Sequence, residues 1–349
     1  MPSKERVVFD PAELAVALSH YDLGVIESIT DFPRGSRRSP KVGIVAEKGK
    51  FLLKRRSALR AKPDRVRLIH GVQATLVDAG FPLARLIVTR DTKETFVQIR
   101  ERVYELFEFV AGHAFGHTPG EARDAGLVLA RFHKITADLA ATFTVPVPHG
   151  DYHDAAAIRT GLCAIGSTLS SHDSFTGDDA ELATLTQFLL EHYDRSASAT
   201  NDFGFSDRPG RIIHSDWHPG NVLFRKQKVL AVVDYDSVRY ARRMIDIANG
   251  VLQFSMIAGG DPATWPEHLD EERLRSFLAG YESLQPLAVD ERACMPHLMA
   301  EALIAECVPP ITETGSVGQW AGFRVLQMVR RKLTWLEANA DRVVKAQTV

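Results

Sequence analysis

The stretch at residues 211–224, Arg-Ile-Ile-His-Ser-Asp-Trp-His-Pro-Gly-Asn-Val-Leu-Phe, followed by Val232-Val233-Asp234-Tyr235-Asp236, constrains this chain more than any other part of it. Two short apolar runs of strand character each end in a carboxylate, and Asn221 lies five positions after Asp216 across a Pro-Gly turn. An Asp-x4-Asn spacing alone arises often by chance, and strand-end carboxylates also serve as turn caps. The joint order is more demanding: apolar strand, His-x-Asp-x4-Asn, hairpin, apolar strand, Asp. Transfer of a phosphoryl group needs a carboxylate to accept the proton of an incoming hydroxyl, oxygen ligands to hold Mg²⁺ against nucleotide phosphates, and a cation to neutralise the remaining phosphate charge. Asp216 suits the first task, the Asn221–Asp234 pair the second, and a lysine from the N-terminal third the third.

The pattern of the chain changes near residue 112. Asp10-Pro11-Ala12-Glu13 opens a helix, with Asp10 as cap and Glu13 reaching back to it. Strand-like runs follow at Gly24–Ile29, Val42–Ala46 and Phe51–Lys54, the last two joined by the hairpin signal Glu47-Lys48-Gly49-Lys50. Asp64–Ala79 has helical spacing (Val66, Ile69, Val72, Leu76) and stops at Gly80 with Pro82 beyond. Runs at Thr95–Ile99 and Val103–Phe109 complete a sheet of about five strands with one inserted helix. From Glu121 onward the pattern is helical, with further helices near 155–170, 178–195, 270–284, 290–306 and 318–338. One β island interrupts it: a lead-in at Arg211–His214, then a hairpin of Val222–Arg225 and Val229–Val233. Ser196–Pro209 reads as a surface loop. The expected organisation is a β-rich unit over 1–107, a hinge at 108–112 and a helical unit over 113–349.

Composition narrows the function classes. The chain has 349 residues, enough for two cores. With 45% hydrophobic and 25% charged residues it reads as an ordinary soluble protein, and a net charge of −2 provides no field for nucleic acid or acidic lipid. Cys163, Cys294 and Cys307 lack zinc-site spacing and read as buried thiols of a reducing compartment. The opening residues lack the apolar run of a signal peptide, and no apolar stretch is long enough to span a bilayer, so the expected location is the cytoplasm. The expected partner is a small hydroxylated molecule, with neither nucleic acid nor membrane, and the expected state is monomer or homodimer.

On these residues the sequence resembles the aminoglycoside phosphotransferase and choline kinase family, which includes type II homoserine kinases and spore-coat kinase-like proteins. The resemblance covers nearly the whole chain and is strongest at 211–249. It implies an α+β, bilobal, protein-kinase-like fold: a small antiparallel sheet with one helix, then a larger helical lobe. It implies ATP and Mg²⁺ as cofactors, Asp216 as catalytic base, and Asn221 and Asp234 as metal ligands. His214 belongs to the catalytic loop, and Asp246 in Ile245-Asp246-Ile247-Ala248 is expected to tie that loop to the following helix. The family usually has Gly where this chain has Ser215, a departure expected to be harmless. Lys54 matches the strand lysine on the α- and β-phosphates. Its usual partner, a glutamate on the next helix, is missing from Asp64–Gln73, which leaves His70, Gln73 or Asp64 in that place. In the loop at 33–41, Ser36 and Arg37 are candidate phosphate donors beside Gly35, with an exposed basic turn as the alternative. The carbonyl of Glu108 and the N–H of Val110 match the backbone groups that meet the purine edge. Gly126, Ala130 and His133 match a helix signature in which His133 is a packed structural residue.

His149-Gly150-Asp151 imitates the catalytic loop, but position 156 is Ala and no apolar strand precedes it, so it reads as a connecting loop. A metal-dependent hydrolase is the rival reading, because His214, Asp216 and His218 alternate and would share one face of a strand. A non-catalytic binding protein with a kinase-like shell is the other. Candidate acceptor contacts are Trp217, Asp236, Arg239, Tyr240, Glu301 and Glu306, with the two glutamates suited to an amine and Trp217 to stacking.

Overall fold

A computed structural model describes residues 7–33, 35, 38–142, 152–171, 175 and 177–345. Ser36, Arg37 and the His149–Asp151 loop lie outside the described residues. The chain divides into two compact units, Met1–His113 with Leu230–Asp236, and Ala114–Val229 with Ser237–Val349.

The small unit starts with α1 (Pro11–Leu18), capped as its sequence demands. The Asp10 carboxylate accepts from the amides of Ala12 at 2.9 Å and Glu13 at 3.3 Å. Five strands follow, β1 (Ile26–Asp31), β2 (Lys41–Ala46), β3 (Gly49–Arg55), β4 (Val97–Ile99) and β5 (Arg102–Glu108). They form one antiparallel sheet in the order β1-β2-β3-β5-β4. The first strand begins two residues later than its apolar run suggests, because Gly24 sits at φ +70° and turns the chain. Every residue of β1 is exposed, as an edge strand's can be, whereas Leu53 of β3 and Leu106 of β5 are fully buried at the centre. The inserted helix α2 (Pro63–Asp78) buries Val66, Ile69, Val72 and Leu76, the face its spacing predicts. It ends in a Schellman motif: Gly80 takes φ +67°, its amide bonds to the Val77 carbonyl, and that of Phe81 bonds to the Leu76 carbonyl. The segment 230–236 joins this unit through the Val232 amide, which donates to the Pro82 carbonyl at 3.0 Å. A division of the chain by linear boundaries cannot express such membership.

The large unit contains α3 (Pro119–Ile135), α4 (Ala156–Ser170), α5 (Asp179–Asp202), β6 (Arg211–Ile213) and β7 (Val222–Arg225). Strand β8 (Lys228–Val232) begins there and carries the chain into the small unit. After the return come β9 (Arg239–Ala241), α6 (Met244–Ser255), α7 (Glu271–Glu282), α8 (Val289–Thr314) and α9 (Gly322–Ala338). Helix α8 is the core of the unit, with α4, α5, α6 and α9 packed on it. It continues eight residues past the expected end at 306, through Pro309-Pro310, and stops at Gly315 with φ +70°. The lost N–H groups are outweighed by burial of Cys307, Val308 and Ile311. Helix α5 likewise runs through the first half of the expected 196–209 loop, because Ser196, Ala197 and Thr200 are buried and packing overrides weak helix propensity. No helix among the described residues is long and apolar enough to cross a membrane.

Helices α3 and α7 approach closely through two glycines. A Cβ at Gly126 would lie 2.0 Å from the Phe277 carbonyl oxygen, and one at Gly280 would lie 1.9 Å from that of Arg123. Both obstacles are backbone, so no side chain can yield. This packing fixes the helix that carries His133. Gly280→Ala is expected to destabilise the protein by about 1–3 kcal/mol or more, read as a lower urea midpoint, whereas Gly166→Ala, with open space around its Cβ, leaves the midpoint within about 0.5 kcal/mol of wild type or raises it.

Candidate active site

In the small unit the site begins at Lys54, whose position on β3 places it opposite Glu105 of β5. Its side chain is only 6% exposed. The ammonium lies 3.1 Å from Asp234 Oδ1 and 2.8 Å from Asp236 Oδ2. Burial would lower its pKa, but the carboxylates of Asp236, Asp234 and Glu105 outweigh that and hold the lysine charged. None of the expected partners on α2 takes the lysine. His70 Nε2 meets Glu105 Oε1 at 2.6 Å, and Asp64 pairs with Arg67 at 3.2 Å. Gln73 is buried.

Asp234 sits at φ +62°, a left-handed conformation that aspartate tolerates better than most residues. Its side chain keeps 29% of its surface. Burial would raise its pKa, yet Lys54 and Lys41 hold it well below the usual carboxylate range. It is therefore an ionised, reachable oxygen donor, the chemistry that Mg²⁺ requires. At the end of β5, the Glu108 amide donates to the Arg85 carbonyl and that of Phe109 to the Lys50 carbonyl, after which sheet pairing stops and Val110 begins an irregular segment.

In the large unit the polar loop hangs from β6, which pairs antiparallel with β9 through Ile212 and Tyr240. The loop is held by one carboxylate on the first turn of α6. Asp246 Oδ2 accepts the His214 amide at 2.7 Å, and Oδ1 accepts the Ser215 amide at 2.6 Å. Oδ2 also meets His133 Nε2 at 3.1 Å, while His133 Nδ1 meets the Tyr281 hydroxyl at 2.9 Å. Burial lowers the His133 pKa, so the ring is neutral, donates from Nε2 and accepts the Tyr281 proton at Nδ1. Burial opposes ionisation of Asp246, but the His133 hydrogen bond and the loop amide keep its pKa below the usual range. Ser215 lies at φ +64°, where glycine is at ease and serine is strained. Asp246 on the Ser215 amide offsets that strain.

This clamp presents Asp216 and Asn221. The Asn221 side-chain amide donates to Asp216 Oδ2 at 2.9 Å and to the Asp216 carbonyl at 3.0 Å. Both donations come from Nδ2, so Oδ1 of the buried Asn221 is turned away from Asp216 and keeps its capacity to ligate. Asp216 retains 39% side-chain exposure, and His218 Nε2 stands 3.5 Å from its Oδ1. His218 Nδ1 accepts the Gly220 amide at 3.0 Å, so this ring orients the turn. Strand β6 stops at Ile213 and Ser215 reverses the backbone, so His214, Asp216 and His218 do not share a strand face. No group of three acidic, His or Cys side chains among the described residues is arranged to hold a metal. The hydrolase reading loses its geometric basis.

The expected acceptor contacts separate into groups. Trp217 is fully buried, 5.4 Å from the His214 ring, and packs in the core rather than offering a stacking face. Asp236 is buried on Lys54 and Arg56. Glu301 is fully buried and spent on Thr200 Oγ1, His153 Nδ1 and the Asp154 amide, all at 3.0–3.1 Å. Arg239 is buried in β9, and the exposed Tyr240 lies over Gly210. Glu306 differs: it reaches solvent, accepts a hydrogen bond from Gln253, and lies in the field of Asp216. The protein crowded around its carboxylate and the Asp216 charge raise its pKa above the usual carboxylate range, although the side chain stays open to solvent.

A five-stranded sheet bearing a buried, carboxylate-held lysine and a separate helical unit bearing a clamped Asp-x4-Asn loop define a small-molecule kinase of the protein-kinase-like fold. The chain belongs to the phosphotransferase enzyme family, whose match spans residues 28–297. It is 26% identical over 314 residues to a homoserine kinase of Caulobacter sp. (strain K31), covering 87% of each chain. Its fold is similar to that of a microcompartment-associated aminopropanol kinase (TM-score 0.68, 16% identity, 96% of this chain and 99% of that one). It is also similar to that of an amicoumacin kinase solved with AMP-PNP and Ca²⁺ (TM-score 0.65, 15% identity, 95% and 94%). The protein is a phosphotransferase with an alcohol group as acceptor.

The clamp makes stability pH-dependent in a definite sense. Asp246 has a folded pKa below its ordinary 3.8, so its contribution is full above about pH 4 and is lost as pH falls through the folded value. His133 has a folded pKa below its ordinary 6.5, so as pH falls through 6.5 the unfolded chain takes up a proton before the folded chain does, and stability falls again with acid. Asp246→Asn turns an amide donor toward a backbone N–H and is expected to cost about 1.5–3 kcal/mol at pH 7. Urea unfolding across pH 3–7 checks this: the gap to wild type should be fully present above about pH 4 and narrow below it.

Proposed function

We propose that this protein transfers the γ-phosphoryl group of ATP to the hydroxyl of a small amine-bearing alcohol, with homoserine and its close analogues as the first acceptors to test. The observation that carries the reading is the pairing of Asp216 with Asn221 on a loop fixed by Asp246. Asp216 takes the acceptor hydroxyl's proton as its oxygen bonds to the γ-phosphorus and the bridging oxygen leaves with ADP. Asn221 Oδ1 and the Asp234 carboxylate are the oxygen ligands suited to Mg²⁺. When bound, that ion neutralises phosphate charge. Lys54 holds phosphate oxygens of the nucleotide, and the Glu108 carbonyl and Val110 N–H meet the purine edge. Ser36 and Arg37 are assigned to the phosphates by sequence alone.

Relatives named homoserine kinase, and the aminopropanol kinase among similar folds, act by their names on molecules that carry both a hydroxyl and an amine. Glu306 supports the same acceptor class here. Two carboxylates in one electrostatic environment favour a bound ammonium, and the ammonium in turn favours the ionised form of Glu306.

The test is acceptor-stimulated ADP release from purified protein with Mg²⁺ and ATP, across homoserine, amino alcohols, neutral sugars and aminoglycosides. Turnover with neutral sugars but no amine-bearing alcohol would remove the acceptor assignment. Asp216→Asn is expected to lower kcat by about 10²–10⁴-fold with the fold intact by circular dichroism. Asp234→Asn is expected to weaken Mg²⁺-dependent nucleotide binding in calorimetry. If Glu306 receives the amine, Glu306→Gln raises the acceptor KM by roughly 10–100-fold, the loss of one charge-assisted hydrogen bond. Because the Glu306 pKa is raised above the usual carboxylate range, the wild-type acceptor KM is expected to fall as pH rises from 5 to 8, a dependence that Glu306→Gln should abolish.

A further inference from the structure

The lysine that meets the nucleotide phosphates needs a fixed carboxylate behind it, because a flexible ammonium offers no geometry of its own. Helix α2 supplies none. Its buried polar residues are Arg65, His70 and Gln73, and His70 is already engaged by Glu105 and by Thr95 Oγ1 at 2.7 Å. Two carboxylates do reach Lys54, and they differ in what else they can do. Asp234 is 29% exposed and has the ionised oxygens that a metal takes. Asp236 is 5% exposed, and both its oxygens are spent: Oδ2 lies 2.8 Å from Lys54 Nζ, and Oδ1 lies 3.1 Å from Arg56 Nη2.

The far end of this chain of charges is just as buried. Arg56 Nη2 lies 2.7 Å from Glu105 Oε1, and Nε donates to the same oxygen at 2.8 Å, with side-chain exposures of 1% and 0%. Asp236 is also held by its main chain, since Arg65 Nη2 donates to its carbonyl at 3.2 Å. The carboxylate is thus held by two cations and its main chain by a third, all within one unit, and it cannot turn toward a metal or an acceptor without leaving buried cations unpaired.

We infer that Asp236 is the positioning residue for Lys54, taking the place of the missing helix glutamate, while Asp234 remains available to the metal. The inference rests on the assignment of Lys54 to the phosphates made above. Its consequence is a division of labour between two acids two positions apart: Asp234 answers to Mg²⁺, and Asp236 answers to Lys54 and Arg56.

The experiment is a double-mutant cycle on the full chain with Lys54→Met and Asp236→Asn. Binding of ADP with Mg²⁺ is read by calorimetry, alongside kcat and KM for ATP and for the acceptor. Asp236→Asn should weaken ADP binding at least tenfold and raise KM for ATP rather than for the acceptor. The double variant should bind no more weakly than Lys54→Met alone. The Mg²⁺ concentration for half-maximal ADP binding should be that of wild type. Additive losses would overturn the inference, as would a raised Mg²⁺ requirement, which marks a metal ligand, or a defect confined to the acceptor KM. Asp236→Glu covers the case in which the neutral variant does not fold: it keeps the charge, and should weaken ADP binding threefold or more when Lys54 is present but not in the Lys54→Met background. A loss in both backgrounds would count against the inference. If Lys54→Met leaves ADP binding unchanged, the phosphate assignment itself fails. If Lys54→Met loses binding and Asp236→Asn adds to it, only the role of Asp236 fails.

Discussion

The hydrogen bonds from the amides of His214 and Ser215 to the Asp246 carboxylate are the interaction on which the catalytic loop depends. The loop leaves a three-residue strand, passes through a left-handed serine and turns again at Pro219-Gly220. Nothing in so irregular a path is stable by itself, because its backbone groups have no ladder to satisfy them. A single buried acid satisfies two of them and draws its own compensation from His133, whose second nitrogen is fixed by Tyr281. These last two residues stand on α3 and α7, the helices that close against each other through Gly126 and Gly280. Helix packing therefore sets the position of His133, His133 that of Asp246, and Asp246 that of Asp216.

The small unit meets a similar physical problem with ion pairs instead of one carboxylate held by neutral donors. Lys54, Arg56, Glu105 and Asp236 are buried together, and each charge is tolerable only because its neighbours are opposite and close. Such a cluster contributes little net stability relative to apolar packing, but it defines geometry: a guanidinium fork ties the end of β3 to both β5 and the 230–236 segment. The lysine inherits that precision. Membership of residues 230–236 in this unit is thus more than a feature of the chain trace, since it brings the partners of Lys54 to the sheet.

Periodicity and punctuation were enough to place the sheet, α2 and most of the large-unit helices, because those elements bury one face at a regular spacing. Boundaries failed where packing overrode propensity, at the end of α5 and across Pro309-Pro310 in α8. β9 is too short at three residues to carry a period, and it exists because β6 needs a partner. Within the site, the order of the motif was legible, but the direction in which each side chain points was not. Glu301 and Glu306 lie five residues apart on one helix and read alike in sequence. Yet one is fully enclosed by Thr200, His153 and the Asp154 amide, and the other reaches solvent. Five positions on a helix amount to about 500°, a net offset of roughly 140°, so the two must face different surroundings.

The missing glutamate on α2 is a poor guide to whether Lys54 is anchored. A buried ammonium requires an opposite charge, but no rule of physics requires it to come from a helix. The neighbouring histidine could not serve, because an imidazole carries no negative charge and His70 is turned to Glu105. Glu105 lies directly across the ladder from Lys54, but its Oε1 is turned to Arg56 and His70. What remains is a carboxylate delivered by the chain's later return to the sheet, two residues beyond Asp234. Because both acids follow one strand, a single short segment brings a partly exposed carboxylate and a buried one to the same lysine, and their difference in solvent access separates their chemistry.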